Sequence, residues 1–154
     1  MIRLSLIAFA LLGAANAAPG EIRLAPDDIA ALTPGETGPG TSGLAGVTTT
    51  VLAGDPSKAG PYTIRLSVPP HTVIAAHAHR DDRSAVVISG VWYFGYGDTN
   101  TEAALKPLPP GSFYTEPPER THFARTGEDA VIVYITGTGP TDTVYVDPAA
   151  APHS

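Results

Sequence analysis

The chain has 154 residues, with 9 Lys or Arg against 15 Asp or Glu and a net charge of −6 at pH 7. An acidic chain without a basic cluster is poorly suited to nucleic acid or to an anionic membrane surface, so neither is expected as a partner. The absence of cysteine excludes disulfide bonds and thiolate chemistry, and 16 glycines with 16 prolines indicate many turns and few helices.

Residues 1–17 have the pattern of a signal peptide. Arg3 supplies a positive charge, residues 4–12 form a short apolar run, and residues 15–17 are small, as at a cleavage site. The run is shorter than the roughly 20 residues that span a bilayer. We therefore predict a secreted or periplasmic protein without a membrane span after signal removal. An uncleaved anchor and a buried helix are the alternatives.

The rest of the chain is predicted to form one domain with extensions at both ends. Residues 18–46 are predicted to be an N-terminal leader or arm, with one or two helical turns over residues 26–32. Residues 47–148 hold the strand-forming sequence. Residues 149–154, which include His153, are predicted to be a disordered tail.

Short segments rich in β-branched and aromatic residues alternate with glycine and proline turns from residue 47 onward. Residues 80–83 are predicted to be a charged turn and residues 116–120 a loop. Many short strands between such turns predict an all-β sandwich or barrel. The predicted strands are 47–52, 62–68, one that carries His77 and His79, 84–89, 91–97, 105–108, 112–115, 122–125, 130–136 and 143–146.

Three of the five histidines are placed where they could bind one ion. His77 and His79 lie two residues apart on a predicted strand, so both rings point to one face, about 6.5 Å apart along the chain. His122 lies at the end of another β-like segment. Neutral imidazole nitrogens are common ligands of divalent metals, so we interpret the three as a metal site. The alternative is a barrel whose histidines no longer bind metal.

This pattern resembles the cupin superfamily of small β-barrels. The first cupin motif runs G, five residues, H-x-H, three or four residues, E, six residues, G. In this chain His77, His79 and Gly90 match it, whereas His71 stands at the first glycine and Arg83, or Ser84 in the longer spacing, at the glutamate.

The second cupin motif runs G, five residues, P-x-G, two residues, H, three residues, N. Gly111, Pro117 and His122 match it, with Glu119 at the second glycine and Thr126 at the asparagine. Two motifs in this order imply a single-domain cupin double-stranded β-helix, a jelly-roll-like barrel.

The resemblance implies a divalent metal, one of Fe, Zn, Mn or Ni, held by His77, His79 and His122. The glutamate that completes the family's ligand set is missing, because Arg83 takes its position. Arg83 could face the metal cavity and bind a substrate carboxylate or pair with an acidic neighbour. It could instead turn outward into solvent, which the usual exposure of long charged side chains favours.

Four further residues are candidates for the substrate pocket or for support of the metal. Arg83 is accompanied by Asp82 and Glu116, each of which could supply a compensating carboxylate or be a solvated loop charge. Tyr93 and Tyr114 belong to a group of aromatic residues that either lines a ligand pocket or packs the core.

The resemblance implies an exported metal-dependent enzyme that acts on a small molecule, in cupins most often by oxygen-dependent, dioxygenase-type oxidoreductase chemistry. No catalytic residue is assigned from the sequence. A non-catalytic cupin that binds a small ligand or a metal, or has a structural role in the cell envelope, is the main alternative, and a β-sandwich with coincidental histidines is a third. Many cupins dimerise, so a homodimer is a further expectation.

Overall fold

The computed structural model describes residues 20–35, 38 and 40–152. The predicted signal peptide and His153 lie outside the described residues. Within this part of the chain, one short helix, α1 (Pro26–Ala30), precedes ten strands, and no helix has the length and apolar character needed to cross a bilayer. The strands are β1 (Thr48–Ala53), β2 (Gly60–Val68), β3 (Val73–Ala78), β4 (Arg83–Ser89), β5 (Trp92–Tyr96), β6 (Lys106–Leu108), β7 (Phe113–Glu116), β8 (His122–Arg125), β9 (Val131–Gly139) and β10 (Val144–Tyr145).

The strands form two five-stranded antiparallel sheets. One sheet has the order β1-β2-β9-β4-β7 and the other the order β10-β3-β8-β5-β6. The longest pair, β2 with β9, stays in register from Gly60↔Gly139 to Val68↔Val131. Both strands alternate between buried and less buried residues, which is the period expected when one face of each strand packs inward. The all-β prediction is confirmed.

The apolar core fills the space between the two sheets. Ile64 and Val68 from β2 and Val131 and Val133 from β9 are fully shielded from water. Burial of apolar surface contributes about 25 cal/mol per Å², so this layer is the main source of stability for the barrel. The core also contains Val47, Tyr62, Leu66, Ile74, Ala85, Val87, Trp92, Phe94, Leu108, Tyr114, Ala124 and Ile135.

Two predicted loop boundaries differ from the structure in a way that matters for function. Arg83, placed by the sequence in a charged turn, is the first residue of β4, and Glu116, placed in a loop, is the last residue of β7. The two residues are direct partners in the β4–β7 ladder. Their side chains are therefore set by the sheet and not by a flexible loop.

The end of the N-terminal leader packs against the barrel. Gly35 pairs with Thr49 as an isolated β-bridge, and Thr41 is fully buried. The Tyr145 hydroxyl donates to the Ser42 carbonyl oxygen at 2.7 Å, which ties the leader to β10. At the other end, Pro148–Ala150 forms a 3-10 turn in which the Asp147 side chain accepts from the Ala149 N–H at 2.9 Å.

Candidate metal centre

Three histidines reach one point inside the barrel from two neighbouring strands. His77 lies on β3 and is the direct cross-strand partner of His122 on β8, while His79 follows β3 by one residue. The register of the β3–β8 pair shifts between Ile74 and His77, which is the mark of a bulge. The ring centroids lie 4.8 Å apart for His77–His79, 4.4 Å for His77–His122 and 5.1 Å for His79–His122.

Each ring is oriented by a backbone carbonyl. His77 Nδ1 lies 2.7 Å from the Ala75 carbonyl oxygen, and His122 Nδ1 lies 3.0 Å from the Arg120 carbonyl oxygen. His79 Nδ1 contacts the Asp142 carbonyl oxygen. A carbonyl oxygen only accepts, so Nδ1 carries the proton in each neutral ring and the lone pair lies on Nε2. This is the outer hydrogen bond that metal-binding histidines use to fix their orientation.

The geometry and the burial fit a metal ion. His77, His79 and His122 are 2–3% exposed, and one ligand nitrogen from each lies within 4.8 Å of the others. Among the residues that the structure describes, the buried Nε2 atoms of His79 and His122 find no hydrogen-bond partner, which is costly unless another species satisfies them. Ring shifts of less than about 1 Å would bring all three nitrogens to the 2.0–2.1 Å bond lengths of a zinc site.

The histidines are held in the neutral form that a metal requires. Burial is the main cause that lowers the pKa of His77 to about 4 and that of His79 to about 2. For His79 the nearby charge of Arg83 acts in the same direction. Burial also lowers the pKa of His122. All three rings therefore keep a free lone pair at neutral pH.

We expect the metal-free protein to lose stability as the pH falls from about 6.5, the ordinary histidine pKa, to about 4.5. In this window His77 and His79 bind protons in the unfolded chain, whereas their buried rings in the folded protein stay neutral. Each such ring lowers the free energy of unfolding by about 1.4 kcal/mol per pH unit. Urea unfolding of chelator-treated protein at several pH values measures the slope. The slope should decrease in His77→Gln, and an equal slope in both proteins would contradict the prediction.

A buried ion pair lies beside the histidines. Arg83 and Glu116 are each 4% exposed, and both Nε and Nη2 of Arg83 donate to Oε2 of Glu116, the first at 2.6 Å. Burial by itself would raise the pKa of the Glu116 carboxyl, but the charge of Arg83, with smaller effects from His122 and His79, lowers it to about 2. The Glu116 carboxylate is thus charged, and it is directed at the metal centre.

Aromatic side chains close the centre on its inner side. The Phe94 ring stacks on His122 at 5.3 Å and lies 4.3 Å from the buried ring of Tyr114. The Tyr145 ring lies 5.6 Å from His77. Trp92 shares this wall. Such walls restrict access of water to the three histidine rings.

The structure brings together most of the predicted site residues. His77, His122, Arg83, Glu116 and Tyr114 line one small cavity. The His79 ring lies beside it, 4.8 Å from His77 and 5.1 Å from His122 between ring centroids. The outward orientation favoured for Arg83 is wrong, because the guanidinium pairs with the carboxylate on the neighbouring strand.

Two predicted residues lie away from the centre. Asp82 alternates with Arg83 and points to the exposed side of the sheet. The Tyr93 ring lies on the outer side of its strand, 4.2 Å below the guanidinium carbon of Arg125. Neither residue lines the cavity beside the histidines.

Sequence reasoning missed the contributions from the C-terminal strands. The Asp142 carbonyl that orients His79 comes from the loop before β10, and Tyr145 lies on β10 itself. No local motif marks either residue. The pairing of β10 with β3 is the signal that would have found them, since it places Tyr145 opposite His77.

Comparison with solved structures identifies this architecture. The chain is similar to the polyketide cyclase RemF from Streptomyces resistomycificus, with a TM-score of 0.65, 15% identity, and coverage of 86% of this chain and 89% of that one. It is also similar to an RmlC-like cupin from Shewanella frigidimarina NCIMB 400 (TM-score 0.55, 17% identity, 71% and 85% of the two chains). The protein has the cupin fold. No protein-family model and no curated protein matches the sequence.

A third cupin-fold match comes from the DMSP lyase structures of RdDddP and RnDddQII. This likeness has a TM-score of 0.54 and 20% identity over 64% of this chain and 52% of that one. The chain therefore spans about half the length of that lyase. At these identities the three likenesses concern the fold and leave the reaction open.

The cupin fold explains two unusual backbone conformations. His71 and Glu119, which stand where the cupin motifs have glycine, have φ values of +55° and +59°. This left-handed region favours glycine because a Cβ approaches the following carbonyl oxygen. The barrel therefore keeps the turns of the motifs even where the glycines are replaced.

Proposed function

We propose that this protein is an exported cupin that binds one divalent metal ion through His77, His79 and His122 and acts with it on a small molecule. One observation carries the metal site. Three buried rings are each fixed by a carbonyl at Nδ1, so their Nε2 lone pairs are all available to one ion.

The donor set suits the metals that imidazole prefers. Zinc and iron fit three imidazole nitrogens with remaining positions for water or substrate. When bound, such an ion would supply Lewis-acid or redox chemistry at those open positions. The chain itself orients the ligands through the carbonyls and limits water through Phe94 and Tyr114.

The size of the cavity limits what can react there. The space lined by His77, His122, Arg83 and Glu116 measures about 20 Å³, which is enough for roughly one water molecule. Gly40 and Ser42 of the leader form part of its wall. A substrate larger than a few atoms therefore has to displace the leader or enter only in part.

The same small cavity favours a second candidate, a cupin that binds a metal without catalysis. Dioxygenase-type chemistry stays a prediction that rests on the family resemblance. Export rests on the pattern of residues 1–17. Substrate turnover by the metal-loaded protein distinguishes an enzyme from a binding protein.

Replacing His79 with alanine should abolish stoichiometric metal binding, because one of three nitrogen ligands is lost. The purified protein is treated with chelator, reloaded with Zn²⁺ or with Fe²⁺ under anaerobic conditions, and analysed for bound metal by mass spectrometry. Wild type should hold about one ion per chain and melt at higher temperature when loaded, since an ion at 100 times its Kd adds about 2.7 kcal/mol.

His71→Ala is the matched control. The side chain of His71 is 67% exposed and its Nε2 lies 3.5 Å from Glu128 on the surface, so its loss should leave metal content unchanged. Wild-type protein that holds no metal after reloading, or His79→Ala that holds as much as wild type, would contradict the proposed metal site.

A further inference from the structure

A negative oxygen faces two nitrogen lone pairs beside the cavity. Glu116 Oε2 lies 3.7 Å from His79 Nε2 and 3.9 Å from His122 Nε2. These distances are too long for hydrogen bonds. Because both Nδ1 atoms carry the ring protons, the facing nitrogens are acceptors, and acceptors repel a carboxylate unless a cation lies between them.

We propose that Glu116, at the end of β7, is the carboxylate ligand of this site in place of the glutamate that the first cupin motif has on β4. Arg83 positions the Glu116 side chain. This proposal rests on the proposed metal site. The family's glutamate position holds Arg83, so the carboxylate comes from the other side of the β4–β7 ladder. Glu116 thus supplies the carboxylate that an arginine at position 83 lacks.

The distances agree with a shared ion. Two ligands bound at about 2.0–2.2 Å in tetrahedral geometry lie roughly 3.4 Å apart. The separations of 3.7 and 3.9 Å exceed this value by only a few tenths of an ångström. A small movement of Glu116 and of the His79 and His122 rings would therefore let its oxygen share an ion with both nitrogens.

The strand register shows how the carboxylate can come from a different strand. Arg83 and Glu116 are cross-strand partners, and both side chains point inward. Directly opposed residues have Cβ atoms only about 4.5–5.5 Å apart. A carboxylate at position 116 can therefore reach the region that a carboxylate at position 83 would occupy.

Arg83 then has a positioning role. Its Nε and Nη2 donate to the same oxygen that faces the histidines, as outer hydrogen bonds do for ligating carboxylates. Nη1 lies 3.4 Å from Thr141 Oγ1, and Thr141 donates in turn to Asp81 at 2.8 Å. This chain of contacts fixes the orientation of the guanidinium at the side of the cavity.

The test compares Zn²⁺ affinity in four proteins: wild type, Glu116→Gln, Arg83→Met and Arg83→Met/Glu116→Gln. The Kd is measured by competition with a chromophoric chelator, and Co²⁺ absorption reports the ligand set. Glu116→Gln should weaken Zn²⁺ binding at least about tenfold. The double variant avoids an unpaired buried charge, and it should bind at least tenfold more weakly than Arg83→Met.

Glu102→Gln is the matched control, because Glu102 also pairs with an arginine, Arg125, but on the surface. Its Zn²⁺ affinity and Co²⁺ spectrum should equal those of wild type. Suppose that Arg83→Met and the double variant have equal Zn²⁺ affinities and Co²⁺ spectra, while wild type binds and His79→Ala does not. That result would overturn the role of Glu116 as a ligand and leave the three-histidine site intact. Absence of binding in every protein would instead overturn the proposed function.

Discussion

Arg83→Met should destabilise the metal-free protein by about 3–5 kcal/mol at pH 7, because removal of one partner leaves a buried charge uncompensated. The Glu116 carboxylate is 4% exposed and accepts from Arg83 through two nitrogens. Without them, burial raises the pKa of Glu116 and the group takes up a proton on folding. Urea unfolding in the presence of chelator measures the loss.

The loss of stability in Arg83→Met should depend on pH and on whether Glu116 is also replaced. Because Glu116 in Arg83→Met is protonated more readily when folded than when unfolded, the deficit relative to wild type should shrink as the pH falls from 7 to 5. Arg83→Met/Glu116→Gln should recover most of the loss, since neither charge remains.

The surface pair of Arg125 with Glu102 provides the comparison. The Glu102 side chain is 77% exposed, and the two residues form a similar paired contact at 2.9 Å. Arg125→Met should cost no more than about 1 kcal/mol, as is usual for exposed ion pairs. Equal losses of unfolding free energy in Arg83→Met and Arg125→Met would show that burial does not increase the cost of breaking the Arg83–Glu116 pair.

The sequence was sufficient for the barrel and for the histidine cluster. Alternation of apolar residues, broken by glycine and proline, marks β2 and the other strands to within a few residues of their observed ends. The spacing of His77, His79 and His122 in two cupin motifs places three histidines together. Each of these signals is local or belongs to an ordered motif.

The ion pair was harder to predict because it depends on strand register. Arg83 and Glu116 are far apart in the sequence, and each stands at the first or last position of its strand. An error of one residue at either boundary turns an inward side chain outward, since side chains alternate along a strand. General exposure statistics for arginine then give the wrong orientation for Arg83.

The replaced motif residues show what the fold requires and what it tolerates. Thr126, at the asparagine position, is buried, accepts from the Thr72 N–H at 2.8 Å and donates to the Pro69 carbonyl at 2.7 Å. A hydroxyl thus joins the two turns that flank β3 and β8. The motif position is defined by these contacts and not by one residue type.

Phe123→Ala should destabilise the protein by about 3–5 kcal/mol, as is typical for a phenylalanine lost from a packed interior. Phe123 follows His122 on β8 and is 1% exposed, yet it points away from the main core. Its cross-strand partner is Gly95, where a Cβ would lie 2.8 Å from both the Phe123 ring and the Ala104 carbonyl oxygen. The ring therefore occupies the space that Gly95 leaves open.

This packing supports the metal centre from outside. The ring and the Ala104 carbonyl oxygen of the 3-10 turn at Glu102–Ala104 both lie close to Gly95, so loss of the ring should loosen the packing of the strand that carries His122. Chemical denaturation measures stability, and chelator competition should show weaker Zn²⁺ binding although no ligand is changed. Phe113→Ala is the control, because Phe113 is 62% exposed on β7 and its loss should change stability by about 0.5 kcal/mol or less. A Phe123→Ala protein as stable as Phe113→Ala would refute the supporting role of this ring.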